Sequence, residues 1–336
     1  VSPATPERPS LRVFPEEDIR RVVDDAAALA SSERAFSAMA RGEALVPPPL
    51  GVDLPGPRGE VHVKGAYLEG APIFAFKVAT GFNGNVALGL PTGAGLVLVF
   101  DARTGFPLAL LADNGYLTDV RTAAAGALAT RLLAPERPLV TAVIGAGVQA
   151  RLQLRLMSRV RRLASVRVWS PKAASRAAYA GEMRTVLGTE VLPTESVEAA
   201  VAGADLVVTA TPSRVPLVTA DMLRTGATVI ALGSDGPDKR ELAPEVLARA
   251  DKVVTDRTGQ CARLGELHHA LEAGLMSAED VHAELGEILV GTRPGRERDD
   301  ETIVCDLTGV GAQDAAIAEV ALRALVDPAS GPTPAG

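Results

Sequence analysis

Aromatic side chains are scarce: Phe, Trp and Tyr make up 3% of the 336 residues. That excludes a stacking platform for single-stranded nucleic acid. Positive charge is not in excess, and a formal net charge of −7 argues against nucleic acid or an acidic membrane as partner. The two cysteines, Cys261 and Cys305, are too few for a disulfide scaffold and read as buried thiols of a reducing compartment. His62, His268, His269 and His282 show no metal-ligand spacing, and no metal is expected. No apolar run approaches a bilayer span. The N-terminal VSPATPERPS lacks an apolar signal core, so a cytoplasmic protein is expected. The tail, DPASGPTPAG, reads as a disordered end.

What is present is a globular composition, 47% hydrophobic and 22% charged, in a chain long enough for two domains. Apolar spacing predicts one long amphipathic helix over residues 15–41, followed by a proline- and glycine-rich loop to residue 59. EVHVKGAYL, APIFAFKVA, GLVLVFD and PLALLA read as strands, with DARTG at 101–105 as a hairpin turn. Thr118 is the expected cap of the next helix, which stops at Pro135. After Pro138, apolar runs at 139–144, 165–169, 205–209, 227–231 and 252–255 alternate with helical patterns. This rhythm predicts a parallel sheet covered on both faces. The expected fold is α/β: a doubly wound Rossmann domain over 129–311, and an antiparallel-rich α+β domain over 1–128 plus 312–336. The second of these includes a final helix near 312–326.

Between strand 139–144 and the following helix lies Gly145-Ala-Gly147-Val148-Gln149-Ala150. In that context Gly145 permits a tight turn, Gly147 lets a pyrophosphate approach the backbone, and Ala150 allows close helix–strand packing. The start of the following helix, with Val148 and Gln149 as cofactor-binding residues, turns its N–H groups and partial positive charge toward the phosphates. The next strand ends in Ser170, Pro171 and Lys172, and no acidic residue lies between Glu136 and Glu182. A site for NAD(H) usually places a carboxylate there on the ribose 2′-hydroxyl. Ser170, Lys172 and Arg176 instead suit a 2′-phosphate, which favours NADP(H) over NAD(H). Alternatively, Lys172 and Arg176 are simply solvated helix residues.

Lys77 is expected at a strand end and Arg121 in the first turn of a helix. There a cation opposes the helix dipole and calls for an anionic partner. That partner is either an internal carboxylate such as Asp119 or Asp113, or a substrate carboxylate held by the guanidinium fork. Asp235, in the turn GSDGPDKRE after a strand, is either a turn or cap residue or a group facing ligand.

Five stretches in order, AFKVATGFNGNVALGLPTGAGL, DNGYLTDVRTAAAGALA, GAGVQA, LGSDGPDKREL and HAELGEILVGTRPG, resemble the ornithine cyclodeaminase/μ-crystallin family over about residues 14–326. The N-terminal wording is most similar to ectoine-utilisation cyclodeaminases and to imine reductases of the same branch. The resemblance implies that Lys77 and Arg121 bind an amino-acid carboxylate and that Asp235 is the acid/base at the amine. It further implies that Thr92, Thr209 and Lys239 approach the cofactor, that Thr308 lies near the substrate, and that the chain forms a homodimer through its first domain. One departure concerns an early-loop arginine of ornithine-binding members, which has no counterpart from Gly42 to Pro57. Either Lys64 replaces it or Lys64 is a strand-surface lysine. The resulting expectation is an NAD(P)H-dependent imine reductase or amino-acid dehydrogenase acting on a small amino or imino acid. The alternatives are a cyclodeaminase that recycles its cofactor and a non-catalytic NADPH-binding protein of the μ-crystallin kind, against which Asp235 counts.

Overall fold

A computed structural model describes residues 10–56 and 59–327; the proline-rich N-terminus to residue 9 and the tail from 328 lie outside them. The chain has an α/β fold and divides into two compact units, Val1–Arg121 with Val310–Gly336, and Thr122–Gly309.

The first unit is built on a mostly antiparallel sheet of β1 (Arg12–Pro15), β2 (Ala44–Leu45), β3 (Leu50–Leu54), β4 (Gly59–Leu68), β5 (Ile73–Phe82), β6 (Gly93–Asp101) and β7 (Pro107–Ala112). The order is β1-β7-β6-β5-β4-β2, with β3 also paired to β4 and only β1 running parallel to its neighbour. Alternation along β5 and β6 buries Ile73, Ala75, Lys77, Val97 and Val99. The C-terminal helix, Gly311–Val326, packs on β4 and β5 and against the helix below. A Cβ on Gly311 would lie 2.3 Å from the Gly65 carbonyl oxygen, so only glycine lets this helix come so close to β4. The helix expected over 15–41 is two, α1 (Glu16–Val22) and α2 (Asp25–Ala40). The break falls where Val23 turns extended and the Asp24 carboxylate accepts the Ala27 N–H at 2.8 Å, capping a new helix. In the expected hairpin turn, the Asp101 carboxylate accepts the N–H groups of Arg103 and Thr104.

Helix α3 (Tyr116–Leu133) starts earlier than expected, and its cap is not Thr118. Asp113 accepts the Leu117 N–H at 2.7 Å, after a turn in which Asn114 and Gly115 have positive φ. The division between the units falls in this helix, after Arg121.

The second unit holds a parallel sheet of β8 (Leu139–Ile144), β9 (Leu163–Trp169), β10 (Glu190–Pro193), β11 (Leu206–Thr209), β12 (Thr228–Ala231), β13 (Lys252–Thr255), β14 (Ala283–Glu284) and β15 (Ile303–Asp306), in the order β10-β9-β8-β11-β12-β15-β13-β14. β11, β12, β13 and β15 are buried along their whole length. Each fully buried Val or Ile there is worth about 1.5–3 kcal/mol relative to exposure. Helices α4 (Val148–Val160) and α5 (Ala173–Leu187) follow β8 and β9. The strand order reverses between β8 and β11, which makes their carboxyl ends the ligand-binding edge of such sheets. β15, inserted between β12 and β13, had no counterpart among the expected strands.

Candidate functional site

In the first unit, the antiparallel register sets Lys64 on β4 directly opposite Lys77 on β5. Both are buried, at 7% and 3% exposure, so Lys64 is not a strand-surface lysine. Lys77 lies within β5 and not at its end, and Arg121 is in the second turn of α3 and not the first. The anionic partner of both is neither Asp119 nor Asp113 but Asp314, in the first turn of the C-terminal helix. Arg121 Nε donates to Asp314 Oδ1 at 2.9 Å, and Lys77 Nζ is 3.4 Å from Oδ2.

Burial depresses the Lys77 pKa to about 7, with the charges of Arg121 and Lys64 adding to it and Asp314 opposing it. Burial alone would raise Asp314, yet Arg121, Lys77 and Lys64 hold its carboxyl below the usual range. Asp113 is also buried, and its carboxyl is raised by burial. The result is a buried cluster in which three cations, Lys64, Lys77 and Arg121, face the Asp314 carboxylate.

In the second unit, the residues expected at cofactor and substrate share the carboxyl edge of the sheet. Ser170 follows β9, Gly145 follows β8, Thr209 ends β11, Asp235 and Lys239 follow β12, and Thr308 follows β15. Gly145 has φ +124°, and a Cβ there would sit 2.5 Å from the Ala210 carbonyl oxygen. Gly147, by contrast, is exposed, and a Cβ there would meet nothing within 4 Å. It precedes α4 without a side-chain cap on the first turn, where Val148 and Gln149 lie. Ala150 is fully buried, and its carbonyl accepts from Tyr179 Oη at 2.8 Å. These residues fit a dinucleotide pyrophosphate. Arg151, not anticipated, braces the turn by donating to the carbonyls of Ala146 and Gly147.

At the ribose end, Ser170 is buried and its hydroxyl donates to the Lys172 carbonyl at 3.3 Å. Arg176 is neither solvated nor free for a phosphate: it is 6% exposed, donates to the Ser170 carbonyl and pairs with Glu195. Lys172 is exposed.

The Thr209 hydroxyl donates to Glu241 Oε2 at 2.7 Å; Glu241 also accepts the N–H groups of Thr211 and Gly233, tying the ends of β11 and β12 together. Glu241 is fully buried, and burial raises its carboxyl. Thr308 is likewise held, accepting from Gln260 Nε2 at 2.8 Å and donating to Asp256 Oδ1 at 3.0 Å. Asp235, 40% exposed at its side chain, accepts from Lys239 Nζ at 2.7 Å. Thr92, in the first unit, is exposed between β5 and β6, and its carbonyl accepts the Phe82 N–H. Glu241, Gln260 and Asp314 were not singled out from the sequence. GSDGPDKREL placed Glu241 in a turn, and only the fold shows the backbone donors closing on it.

Although the histidines showed no ligand spacing, His268, His269 and Glu272 bring ligand-type atoms within 4.8 Å of one another. His268 Nδ1 and His269 Nε2 are bonded to backbone carbonyls. Among the described residues, no helix is long and apolar enough to cross a membrane.

The family model for ornithine cyclodeaminase/mu-crystallin proteins matches residues 15–327. The chain belongs to the ornithine cyclodeaminase/mu-crystallin family. Within that family, a Rhizobium meliloti protein provisionally named a dehydrogenase is 46% identical over 93% of this chain and 94% of its own. An uncharacterized cyclodeaminase of Sinorhizobium fredii is 43% identical over 94% and 96%. The Thermococcus litoralis Δ1-pyrroline-2-carboxylate reductase, solved with NADH and L-proline, superposes with a TM-score of 0.90 at 30% identity, covering 96% of this chain and all of that one.

Proposed function

We propose that the protein is an NAD(P)H-dependent oxidoreductase that reduces the C=N bond of a small imino acid, or runs the reverse amino-acid dehydrogenation. The observation that carries this reading is the buried cluster in the first unit in which three cations, Lys64, Lys77 and Arg121, face the one carboxylate of Asp314. The similar Thermococcus litoralis reductase, solved with NADH and L-proline, supports the same class of chemistry.

Arg121 presents its fork to the substrate carboxylate, with Lys77 and Lys64 adding charge where water is excluded. Fixing the carboxylate fixes the α-carbon, and such orientation supplies much of the rate. Gly145, Gly147 and the first turn of α4 hold the dinucleotide pyrophosphate, and the exposed Lys172 favours a 2′-phosphate. When bound, the nicotinamide supplies or accepts a hydride at the carbon bearing nitrogen. Asp235, paired with Lys239 at the carboxyl edge of the sheet, moves the proton at that nitrogen. Two copies pair through the open face of the first unit's sheet, where Leu50, Val52 and Phe76 are exposed at 60%, 46% and 37%.

A second reading, a cyclodeaminase, is favoured by the 43% identical relative of that name. The two differ in cofactor balance. A panel of keto acids with amines, cyclic imino acids and diamino acids, assayed with NADH and NADPH, separates them. Stoichiometric cofactor oxidation with an imino acid supports the reductase. Ammonia release from a diamino acid without net cofactor change supports the cyclodeaminase and contradicts the reductase.

A further inference from the structure

We infer that Asp314 is a positioning residue, which grips Arg121 by its Nε edge and holds Lys77 beside it so that both face the substrate carboxylate as one site. The inference rests on the reading of Lys77 and Arg121 as carboxylate-binding residues. Asp314 Oδ1 takes only the Nε hydrogen of Arg121, and the guanidinium forms no other hydrogen bond among the described residues. Its two terminal nitrogens are thereby left for an external fork. The same helical turn holds the main chain as well, because Gln313 Nε2 donates to the Arg121 carbonyl at 3.2 Å. Gly311, pressed on the Gly65 backbone, sets how close that turn comes to β4.

A buried ion cluster is weak evidence for stability, since well-packed apolar residues commonly serve as well. It is stronger evidence for a site, because three buried cations, Lys64, Lys77 and Arg121, face this one carboxylate. The groups facing Lys77 are Lys64 on β4, Arg121 on α3, Asp314 on the C-terminal helix and Asp113 before α3. Of the charges that move Lys77 most, Asp314 favours its ammonium form and Arg121 and Lys64 oppose it, with Asp113 adding to the favourable side when ionised. Without Asp314, Lys77 gives up its proton at lower pH, and Arg121 loses its tether.

The test uses the full chain with Asp314→Asn and Asp314→Glu. Lysine Cε carbon NMR, assigned with Lys77→Arg, reads the Lys77 titration without turnover, and steady-state kinetics gives KM and kcat against pH. Asp314→Asn is expected to move the Lys77 midpoint down by about one unit or more. It should raise KM for the imino acid about tenfold near pH 8, with a smaller defect near pH 6 and little change in kcat or cofactor affinity. Asp314→Glu, which keeps the carboxylate, is expected to recover part of the loss and covers the case in which Asp314→Asn does not fold. An unmoved Lys77 midpoint, or a KM defect equal at every pH, would overturn the inference. A wild-type protein that turns over no amino or imino acid, while its Lys77 midpoint still moves in the variant, would overturn the functional reading and leave Asp314 in place.

Discussion

Lys64 and Lys77 stand opposite each other on adjacent antiparallel strands, and both are buried. Like charges so placed repel by roughly 0.2–1 kcal/mol in an ordinary sheet, more where water is excluded. An added carboxylate relieves that repulsion. Saturating the protein with a small imino or amino acid at about 100 times its Kd should therefore stabilise it by about 2.7 kcal/mol. Differential scanning fluorimetry reads this as a rise in Tm, which Lys77→Met and Arg121→Met should abolish.

The depressed Lys77 pKa, about 7 through burial, gives a signed pH dependence. Below that value the side chain is an ammonium and attracts the carboxylate; above it the amine does not. Affinity should therefore fall as pH rises through about 7, by up to roughly tenfold per unit. Because the bound carboxylate favours the ammonium, binding near pH 8 takes up a proton. Calorimetry in two buffers of different ionisation enthalpy measures that uptake; none at pH 8 would contradict it.

The two glycines of the cofactor turn should fail differently. Gly145→Ala forces a side chain into positive φ and against the Ala210 carbonyl, costing about 2 kcal/mol or more in urea unfolding. Gly147→Ala has open space for its methyl group and should fold normally. That methyl occupies the approach of the pyrophosphate, so the cofactor Kd should rise about tenfold or more, a loss of ~1.4 kcal/mol.

Glu241→Ala removes the acceptor of one hydroxyl and two backbone N–H groups in a buried place. We expect about 3 kcal/mol of destabilisation in urea unfolding. Glu241→Gln, which keeps one acceptor oxygen, should lose less.

With Arg176 engaged by Glu195 and the Ser170 carbonyl, the proposed preference for NADP(H) rests on Lys172. Lys172→Ala should raise KM for NADPH about tenfold and leave KM for NADH within about twofold, in line with one charge-assisted contact. Equal effects on both cofactors would remove the argument for NADP(H).

What was legible in the sequence was local. The glycine turn, the continuously apolar strands and the late helix are written in contiguous residues whose patterns have a physical meaning of their own. What was not legible depends on distant partners. β15 is four residues long, and only its place between β12 and β13 makes it a central strand. Asp314 sits in a helix rich in alanine, where one acidic residue in the first turn reads as an ordinary dipole partner. Its meaning comes from Lys77 and Arg121, each far away in the chain. The break at Val23–Asp24 and the true cap of α3 at Asp113 were missed for a smaller reason. Several nearby residues could cap, and packing selects among them.

Hydride transfer to the carbon that bears nitrogen is tested most directly by isotope. The protein is incubated with an imino acid and NADH or NADPH deuterated at nicotinamide C4 on the transferable face, and the product amino acid is analysed by mass spectrometry. The account predicts one deuterium at the α-carbon for each cofactor oxidised, lost with Arg121→Met and slowed with Asp235→Asn. Product without deuterium, or ammonia released with the cofactor unchanged, would contradict it.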